Sequence, residues 1–234
     1  MDRPPRREVP GPPELFLTLP PPARADHGFR QGALTTLLFS LLGFACGSLP
    51  FSPWLVRLFK GVDVRGFGDG NPGSVNAFKA GGPAVGVPAL LLDYLKGAAP
   101  VWAAVHLGGV SGWGLLPVLT APVLGHAFSP LLGFRGGKAV AVTFGVWTGL
   151  TYWEGPTILG AAFALLYLVQ REDAWTTLLG FAVLTAYLFI RAYPAPVPAA
   201  AGVNLGILII KHLDDLTGGP RLGLPRRRAR PEEP

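Results

Sequence analysis

Long apolar segments alternate with short polar loops along most of this 234-residue chain. The pattern predicts helices at about residues 33–58, 84–107, 113–128, 139–153, 156–169, 174–190 and 197–211. Several of these segments are shorter than the roughly 20 residues that a perpendicular membrane crossing needs, so six crossings remain an alternative to seven. The pattern therefore predicts an all-α fold, a polytopic membrane helix bundle with about seven transmembrane helices.

The two ends of the chain differ from this apolar region. Residues 1–30 are rich in proline and arginine, which predicts a disordered arm. Residues 218–234 form a basic tail that ends in an arginine-rich run. The membrane domain is therefore expected over residues 31–217.

The composition supports the membrane prediction. Hydrophobic residues make up 50% of the chain and charged residues only 15%, whereas a soluble domain carries about 25% charged residues. The net charge is +6, and the basic residues cluster at segment ends and in the tails. This distribution favours membrane topology and anionic lipid headgroups over nucleic acid as the partner.

Seven crossings would place the loops at 59–83, 129–138 and 170–173 and the C-terminal tail on one side of the membrane. The positive-inside rule predicts that this side is cytoplasmic, because it collects most of the basic residues: Lys60, Arg65, Lys79, Arg135, Arg171, Lys211 and the tail arginines. The basic N-terminal arm would then lie outside, which counts against an odd number of crossings.

Two of the predicted spans contain polar interruptions. Pro50 in the first span implies a kink or a break whose freed backbone groups need partners. Ser48, two residues before Pro50, is a candidate functional residue. The alternative is that its hydroxyl only satisfies the kinked backbone. In the second span, Asp93 and Lys96 are three residues apart and share one helix face. Charges inside a span line a cavity or pair with each other.

Two glycine-rich loops, residues 66–76 and 133–138, separate apolar segments. Glycine lets successive backbone N–H groups point into one concavity that attracts anions. Lys138 opens the fourth segment, whose helix N-terminus would add positive potential where Gly136 and Gly137 present free N–H groups. Arg135 supplies a guanidinium fork suited to phosphate. We expect both loops to form one anion site; flexible glycine loops with basic membrane anchors are the alternative.

Nucleotide-binding motifs do not explain these loops. Residues 68–73 match G-x-G-x-x-G, but neither the strand nor the βαβ unit that the dinucleotide fingerprint requires is present. The second loop is not a P-loop, because Leu132 stands where glycine is required and Ala139 replaces Ser or Thr. The sequence also contains no zinc-ligand cluster.

The histidines exclude one familiar acyltransferase arrangement. None of the four histidines is followed by Asp at the fifth position, so no H-x-x-x-x-D motif exists. Structural alternatives apply to three further polar residues. His126 would only pack at the end of a span, and Asn76 would only cap the helix that follows it. His212 would be an ordinary interfacial residue.

Five motifs in order resemble the bacterial membrane acyltransferases that use acyl phosphate to acylate glycerol 3-phosphate. They are Gly47-Ser-Leu-Pro-Phe51, Gly68-Asp-Gly-Asn-Pro-Gly-Ser-Val-Asn76, Asp93-Tyr-Leu-Lys-Gly97, Gly125-His-Ala-Phe-Ser-Pro130 running into Phe134-Arg-Gly-Gly-Lys-Ala139, and Lys211-His212. Order and spacing agree across about residues 34–216. One such motif would be weak support, but five in order on a polytopic chain are strong.

The resemblance implies a seven-helix enzyme of the bacterial inner membrane, monomeric, with its site facing the cytoplasm. It implies transfer of a fatty acyl group to the 1-hydroxyl of glycerol 3-phosphate, which gives lysophosphatidic acid and phosphate. The implied catalytic residues are Lys138, His212 and Ser48. The implied substrate-binding residues are Arg65, Asn71, Asn76, Lys79, Arg135, Gly136 and Gly137. Asp93, Lys96 and His126 are implied to support the pocket. The resemblance implies neither a metal nor an organic cofactor.

Several positions depart from the family pattern. Asp69 stands where the family usually has serine, and a carboxylate near two phosphates needs a cation such as Arg65 beside it. Ser74-Val75 replaces Ala-Thr, Lys79 stands near a usual arginine and Arg135 replaces Lys. Ala139 replaces the last glycine of the second loop, and Leu213-Asp-Asp-Leu216 replaces a more basic segment. A non-catalytic or altered-acceptor paralogue is therefore one alternative. A small transporter is another, although the internal repeat that it would need is not evident.

Overall fold

The computed structural model describes residues 28–216 and 218–220. Residues 1–27 of the predicted disordered arm and most of the basic tail therefore lie outside the described residues, whereas residues 28–30 of the arm are helical. Within the described ranges, nine α-helices are present: α1 (Gly28–Ser48), α2 (Phe51–Lys60), α3 (Ser74–Gly81), α4 (Pro83–His106), α5 (Leu115–Ala127), α6 (Val140–Thr151), α7 (Glu154–Val169), α8 (Asp173–Ile190) and α9 (Pro196–His212). Single 3-10 turns precede or follow several of them, and the last one covers Leu213–Asp215.

The predicted count of about seven membrane helices is confirmed. Five segments are long and apolar enough to cross a membrane: Gly32–Lys60, Pro83–His106, Gly112–Leu132, Asp173–Ile190 and Pro196–Asp215. The apolar helices α6 and α7 are shorter, at 12 and 16 residues. The loops before α6 and after α7 line the same cavity, so this helix pair leads away from that end of the bundle and returns to it.

The first predicted span is divided into two helices. α1 ends at Ser48 and α2 begins at Phe51, so the proline at position 50 breaks the helix. Two side chains satisfy the freed carbonyl groups: Ser129 Oγ donates to Ser48 O over 2.6 Å, and Lys96 Nζ donates to Leu49 O over 2.8 Å. The sequence therefore predicted both the break and its need for partners.

One helix lies where the sequence predicted only a polar loop. α3 occupies residues 74–81 of the predicted loop 59–83 and packs against α2 and α4. Its buried face contains Ser74, Asn76 and Ala77. An eight-residue helix with two polar residues on its buried face has no apolar periodicity that a sequence pattern could show.

Glycines bring the neighbouring helices into close contact around the site. A Cβ at Gly97 would collide with the carbonyl oxygen of Val142, and one at Gly145 would collide with that of Tyr94. These contacts join α4 to α6 at backbone distance, as small residues do in membrane bundles. Gly125 likewise lets α5 approach the Phe44 carbonyl of α1. The start of α6 is thereby held next to the charged turn of α4.

Candidate active site

A cavity of about 690 Å³ lies at the end of the bundle where the glycine-rich loops meet. Its lining comes from residues 69–79, the start of α6, the α7–α8 connection and the end of α9. Seven of the residues predicted for the site line it: Asn71, Asn76, Lys79, Asp93, His126, Lys138 and His212. Four segments that are distant in sequence therefore converge on one space.

Lys138 is the electrostatic centre of this cavity. Its ammonium group lies 2.5 Å from Asp69 Oδ2 and 2.6 Å from Asp215 Oδ2. Partial burial works to lower the pKa of Lys138, but hydrogen bonds to Asp215 and Asp69 and their negative charges outweigh it and raise that pKa above its usual value. The lysine therefore stays charged and links the first glycine-rich loop to the end of α9.

Asp69 is anchored by its own loop as well as by Lys138. Asn76 Nδ2 donates to Asp69 Oδ1 over 2.7 Å, and the Asn71 backbone N–H donates to the same oxygen over 3.2 Å. Partial burial acts to raise the pKa of Asp69, but the bonds from Lys138, Asn76 and Asn71 lower it to about 2. The cation that the sequence required beside Asp69 is thus Lys138; Arg65 does not fill that role.

Asn76 ties the first glycine-rich loop together. Besides its bond to Asp69, its Nδ2 donates to the Asn71 carbonyl over 2.9 Å. Helix α3 starts at Ser74 with Gly73 at the N-cap position, so the alternative that Asn76 caps a following helix is wrong. Its Oδ1 atom is buried and has no hydrogen-bond partner within the described residues.

The second glycine-rich loop lies directly against His126. The Gly137 N–H donates to the His126 carbonyl over 3.1 Å, so the prediction of a free N–H at Gly137 is wrong. A Cβ at Gly137 would collide with His126 Nε2, and one at Gly136 would collide with the His126 carbonyl oxygen. Lys211 Nζ donates to the Gly136 carbonyl over 3.0 Å. Both glycines are therefore required for close approach.

A buried polar network lies beneath this loop. Asp93 Oδ1 lies 2.8 Å from Lys96 Nζ, and Asp93 Oδ2 accepts a hydrogen bond from Ser52 over 3.1 Å. Asp93 and Lys96 therefore pair with each other on one face of α4, which was one of the two alternatives, and Asp93 also lines the main cavity. His126 Nδ1 lies 3.8 Å from Asp93 Oδ1, too far for a hydrogen bond. Ser48 Oγ donates to the Phe44 carbonyl over 2.7 Å.

A second, much smaller cavity of about 10 Å³ lies within this network. Predicted residues at its wall are Ser48, Asp93, Lys96, His126 and Gly137. Asp93 and His126 line both cavities, so they form the wall between the network and the main cavity. Ser48 thus lies behind this wall, and its hydroxyl bonds the backbone of its own helix.

His212 presents a defined tautomer to the main cavity. Its Nδ1 lies 2.8 Å from the Leu208 carbonyl oxygen, which can only accept a hydrogen bond. Nδ1 therefore carries a hydrogen, and in the neutral ring Nε2 has the free lone pair. The side chain is buried at the end of α9 and lines the cavity with Lys138. A hydroxyl group in the cavity would find an acceptor in Nε2.

Three predicted binding residues do not line either cavity. Arg65 lies exposed on the 3-10 turn Val64–Gly66, Arg135 is also exposed, and Gly136 is buried behind the loop. Asp215, Arg171 and Thr177 also line the main cavity, although none of them was predicted as a site residue. The Asp-Asp pair that departs from the family pattern pointed to Asp215, but nothing in the sequence located it beside Lys138.

Comparisons with known proteins agree with these motifs. A family model described as glycerol-3-phosphate acyltransferase matches residues 37–218. Glycerol-3-phosphate acyltransferase 1 of Thermotoga maritima is 40% identical over 165 residues, which cover 64% of this chain and 79% of that protein. The glycerol-3-phosphate acyltransferase of Brucella ovis is 33% identical over 192 residues, which cover 80% and 90%.

Two solved structures share the fold. One is a crystal structure of PlsY (YgiH), an integral membrane glycerol 3-phosphate acyltransferase, in its glycerol 3-phosphate form; it has a TM-score of 0.72 and 30% identity. The lysophosphatidic acid form of PlsY gives a TM-score of 0.71 and 29% identity. Each comparison covers 78% of this chain and 90% of the other.

Proposed function

Because the chain belongs to the glycerol-3-phosphate acyltransferase family and is a multi-pass membrane acyltransferase, we propose that its donor is acyl phosphate and its acceptor glycerol 3-phosphate. The fatty acyl group passes to the 1-hydroxyl, and the products are lysophosphatidic acid and phosphate. The PlsY relatives were solved in glycerol 3-phosphate and lysophosphatidic acid forms, which supports this acceptor and product.

The convergence of Lys79, Lys138 and His212 on one cavity is the observation that carries the proposal. Two lysine ammonium groups can share the charges of two phosphates that would otherwise repel each other. Within the described residues Lys79 has no ion pair, and it lines the cavity a short distance along α3 from the first glycine-rich loop. Lys138 and Lys79 would therefore hold the phosphate groups of donor and acceptor.

The chemistry needs little beyond this positioning. The oxygen of the 1-hydroxyl attacks the acyl carbon, a C–O bond forms, and the bond from that carbon to the phosphate oxygen breaks. The hydroxyl proton leaves with the departing phosphate, so atoms and charges balance. His212 Nε2 would accept a hydrogen bond from the hydroxyl and orient it for attack. Holding both reactants in this geometry replaces a bimolecular encounter by an intramolecular one.

The non-polar side of the cavity suits the acyl chain. Away from Lys138 the lining continues to Ala141 on α6 and to Phe163 and Tyr167 on α7. Phe163 is fixed edge-to-face against Phe144 and Phe181, with centroid distances of 5.4 and 5.7 Å. The fatty chain would lie along this wall, with its carbonyl carbon at the charged end.

The orientation in the membrane follows from charge. The loops that carry Lys79, Arg135, Lys138 and Arg171 are all at the cavity end of the bundle. By the positive-inside rule, we expect this end to be cytoplasmic. The membrane that we propose is the inner membrane of a bacterial cell. There the water-soluble acceptor reaches the cavity directly from the cytoplasm.

The test is a direct assay of acyl transfer. Purified protein in detergent or nanodiscs receives an acyl phosphate and glycerol 3-phosphate, and lysophosphatidic acid is measured by mass spectrometry. We expect product from the wild type and a loss of at least about 100-fold in Lys138→Ala, the loss typical when a charged donor to a transition state is removed. Equal product from both proteins would rule out the proposed role of Lys138, and none from either would reject the proposed substrates.

A further inference from the structure

The two carboxylates that share Lys138 are held in different ways. Asp69 Oδ1 accepts from Asn76 Nδ2 and from the Asn71 N–H, so its position is fixed before Lys138 contributes. Asp215 lies on the single turn after α9, and within the described part of the chain its carboxylate makes an ion pair only with Lys138. Asp69 is thus anchored by its loop, whereas Asp215 is held at one point.

Charge makes the present arrangement around Lys138 unfavourable for a phosphate group on that lysine. One lysine between two carboxylates carries a net charge of −1, and a phosphate dianion placed on it would be repelled. A lysine ammonium has three donors, and Lys138 gives two of them to Asp69 and Asp215, which line the same cavity as His212. A phosphate oxygen therefore gains most by replacing one of the two carboxylates.

From this asymmetry we propose that Asp215 is an internal substitute for substrate phosphate on Lys138, and that Asp69 is a positioning residue that keeps the ammonium in place when Asp215 leaves. The inference rests on the proposed function, because it concerns the same phosphate position. Arriving glycerol 3-phosphate displaces the Asp215 carboxylate, and the turn Leu213–Asp215 moves outward with it. Lys138 then bonds Asp69 on one side and phosphate on the other.

The two carboxylates should respond differently to neutralisation. Asp215→Asn removes the competing anion, so we expect the KM for glycerol 3-phosphate to fall by about three- to fivefold, the scale of one partly exposed ion pair. Asp69→Asn leaves the lysine without its fixed partner, so kcat should fall by about tenfold. A merely structural role of either carboxylate would lower the amount of folded protein without separating kcat from KM.

Asp214→Asn is the matched control. Asp214 is the exposed neighbour of Asp215 and does not bond Lys138, so it removes the same charge without removing the contact. We expect this variant to keep the wild-type KM. An equal fall of KM in both variants would mean that general charge, not displacement, is responsible, and would overturn the proposal.

Inorganic phosphate gives a test that does not depend on acyl transfer. The melting temperature of each purified protein is measured against phosphate concentration, and the midpoint of the rise reports binding. We expect the midpoint of Asp215→Asn to lie about three- to fivefold below those of the wild type and Asp214→Asn. Three equal midpoints would reject displacement of Asp215. If none of the proteins acylates glycerol 3-phosphate and the midpoint still shifts, the proposed substrates fail while the displacement stands.

Discussion

Two lysine–aspartate contacts in this bundle have the same chemistry and different surroundings. The Lys96–Asp93 pair is 2.8 Å long, and both side chains are only 3% exposed. The Lys138–Asp69 pair is 2.5 Å long, with side chains 26% and 43% exposed. Lys96 also caps the Leu49 carbonyl, whereas Lys138 bonds a second carboxylate, that of Asp215. The bonds of Lys96 are thus buried inside the bundle, whereas the carboxylates that bond Lys138 are partly exposed at the main cavity.

The difference in burial shows how the same two residue types can stabilise the fold in one place and be available for ligand binding in another. A charge buried among apolar helices must be paired, because an unpaired ion costs several kcal/mol there. A partly exposed pair contributes little to stability, about 0–1 kcal/mol, and its partners can exchange. Burial thus makes Lys96 structural, and exposure leaves Lys138 available for an anion.

Replacing the buried lysine should have the largest effect on stability. Lys96→Met removes the partner of buried Asp93 and the donor to Leu49, so we expect a loss of about 3–5 kcal/mol in the free energy of unfolding. The measurement is denaturation of the purified protein in detergent, followed by tryptophan fluorescence. Since Asp93 remains without its cation, the double variant Asp93→Asn/Lys96→Met should recover part of that loss. A shift below about 1 kcal/mol in the single variant would contradict the structural role.

The same substitution at the exposed lysine should separate activity from stability. In Lys138→Met we expect acyl transfer to fall by at least about 100-fold, or about 2.7 kcal/mol in transition-state free energy. The free energy of unfolding should change by less than about 1 kcal/mol. Both quantities are measured on the same preparation. A variant that is active, or one that fails to fold, would remove the contrast between the two lysines.

The sequence predicted the buried pair more completely than the exposed one. Asp93 and Lys96 are three residues apart on one helix, so their shared face follows from helical spacing alone. The seven apolar segments also matched the helices closely, apart from the division at Pro50 and the added helix α3. Such features are local, and an apolar pattern or a proline reveals them directly.

The partners of Lys138 depend on tertiary contacts that the sequence does not show. Asp69 lies 69 residues before it, and Asp215 follows it only after four helices. The resemblance to a family supplied Lys138 and His212 but placed serine at position 69, so it did not predict that contact. The engaged N–H of Gly137 was likewise missed, because it bonds the His126 carbonyl of the preceding helix. These details require the packing of α4, α5 and α9.

The opposite end of the bundle sharpens the comparison with a carboxylate that two tyrosine hydroxyls hold, while Arg191 Nε lies farther away, at 3.8 Å from Glu154 Oε1. Glu154 accepts hydrogen bonds from Tyr187 over 2.7 Å and Tyr193 over 2.8 Å, which joins α7 to α8 and to the α8–α9 connection. Glu154→Gln should cost about 1–2 kcal/mol of unfolding free energy, as expected for hydrogen bonds to a charged group. Acyl transfer by the folded protein should match the wild type.

Tyr193→Phe is the control for that variant, since it removes only one of the two hydrogen bonds. We expect it to cost about half as much as Glu154→Gln, and both are measured by the same chemical denaturation. A loss of acyl transfer in either folded variant would show that the far end influences the cavity, and the two ends would no longer be separate.

Replacing Ala139, which follows Lys138 in the chain, by glycine should have the smallest effect on the free energy of unfolding. Its φ angle is +62°, in the left-handed region that favours glycine, and its methyl group is buried. The strained backbone costs roughly 1–2 kcal/mol relative to glycine. Ala139→Gly relieves it but loses the buried methyl group, about 0.8 kcal/mol, and loosens the unfolded chain by about 0.4–1 kcal/mol. We therefore expect a net change within about 1 kcal/mol.

Ala139→Val is the informative comparison, because a β-branched residue at positive φ is a genuine outlier. It should cost at least about 2 kcal/mol more than the glycine variant in chemical denaturation, and it should reduce acyl transfer by moving Lys138, its neighbour. Equal stability of the valine and glycine variants would show that the left-handed conformation at residue 139 does not determine the path of the chain there. Lys138 would then owe its position to Asp69 and Asp215 alone, and the exposed pair would have a structural role after all.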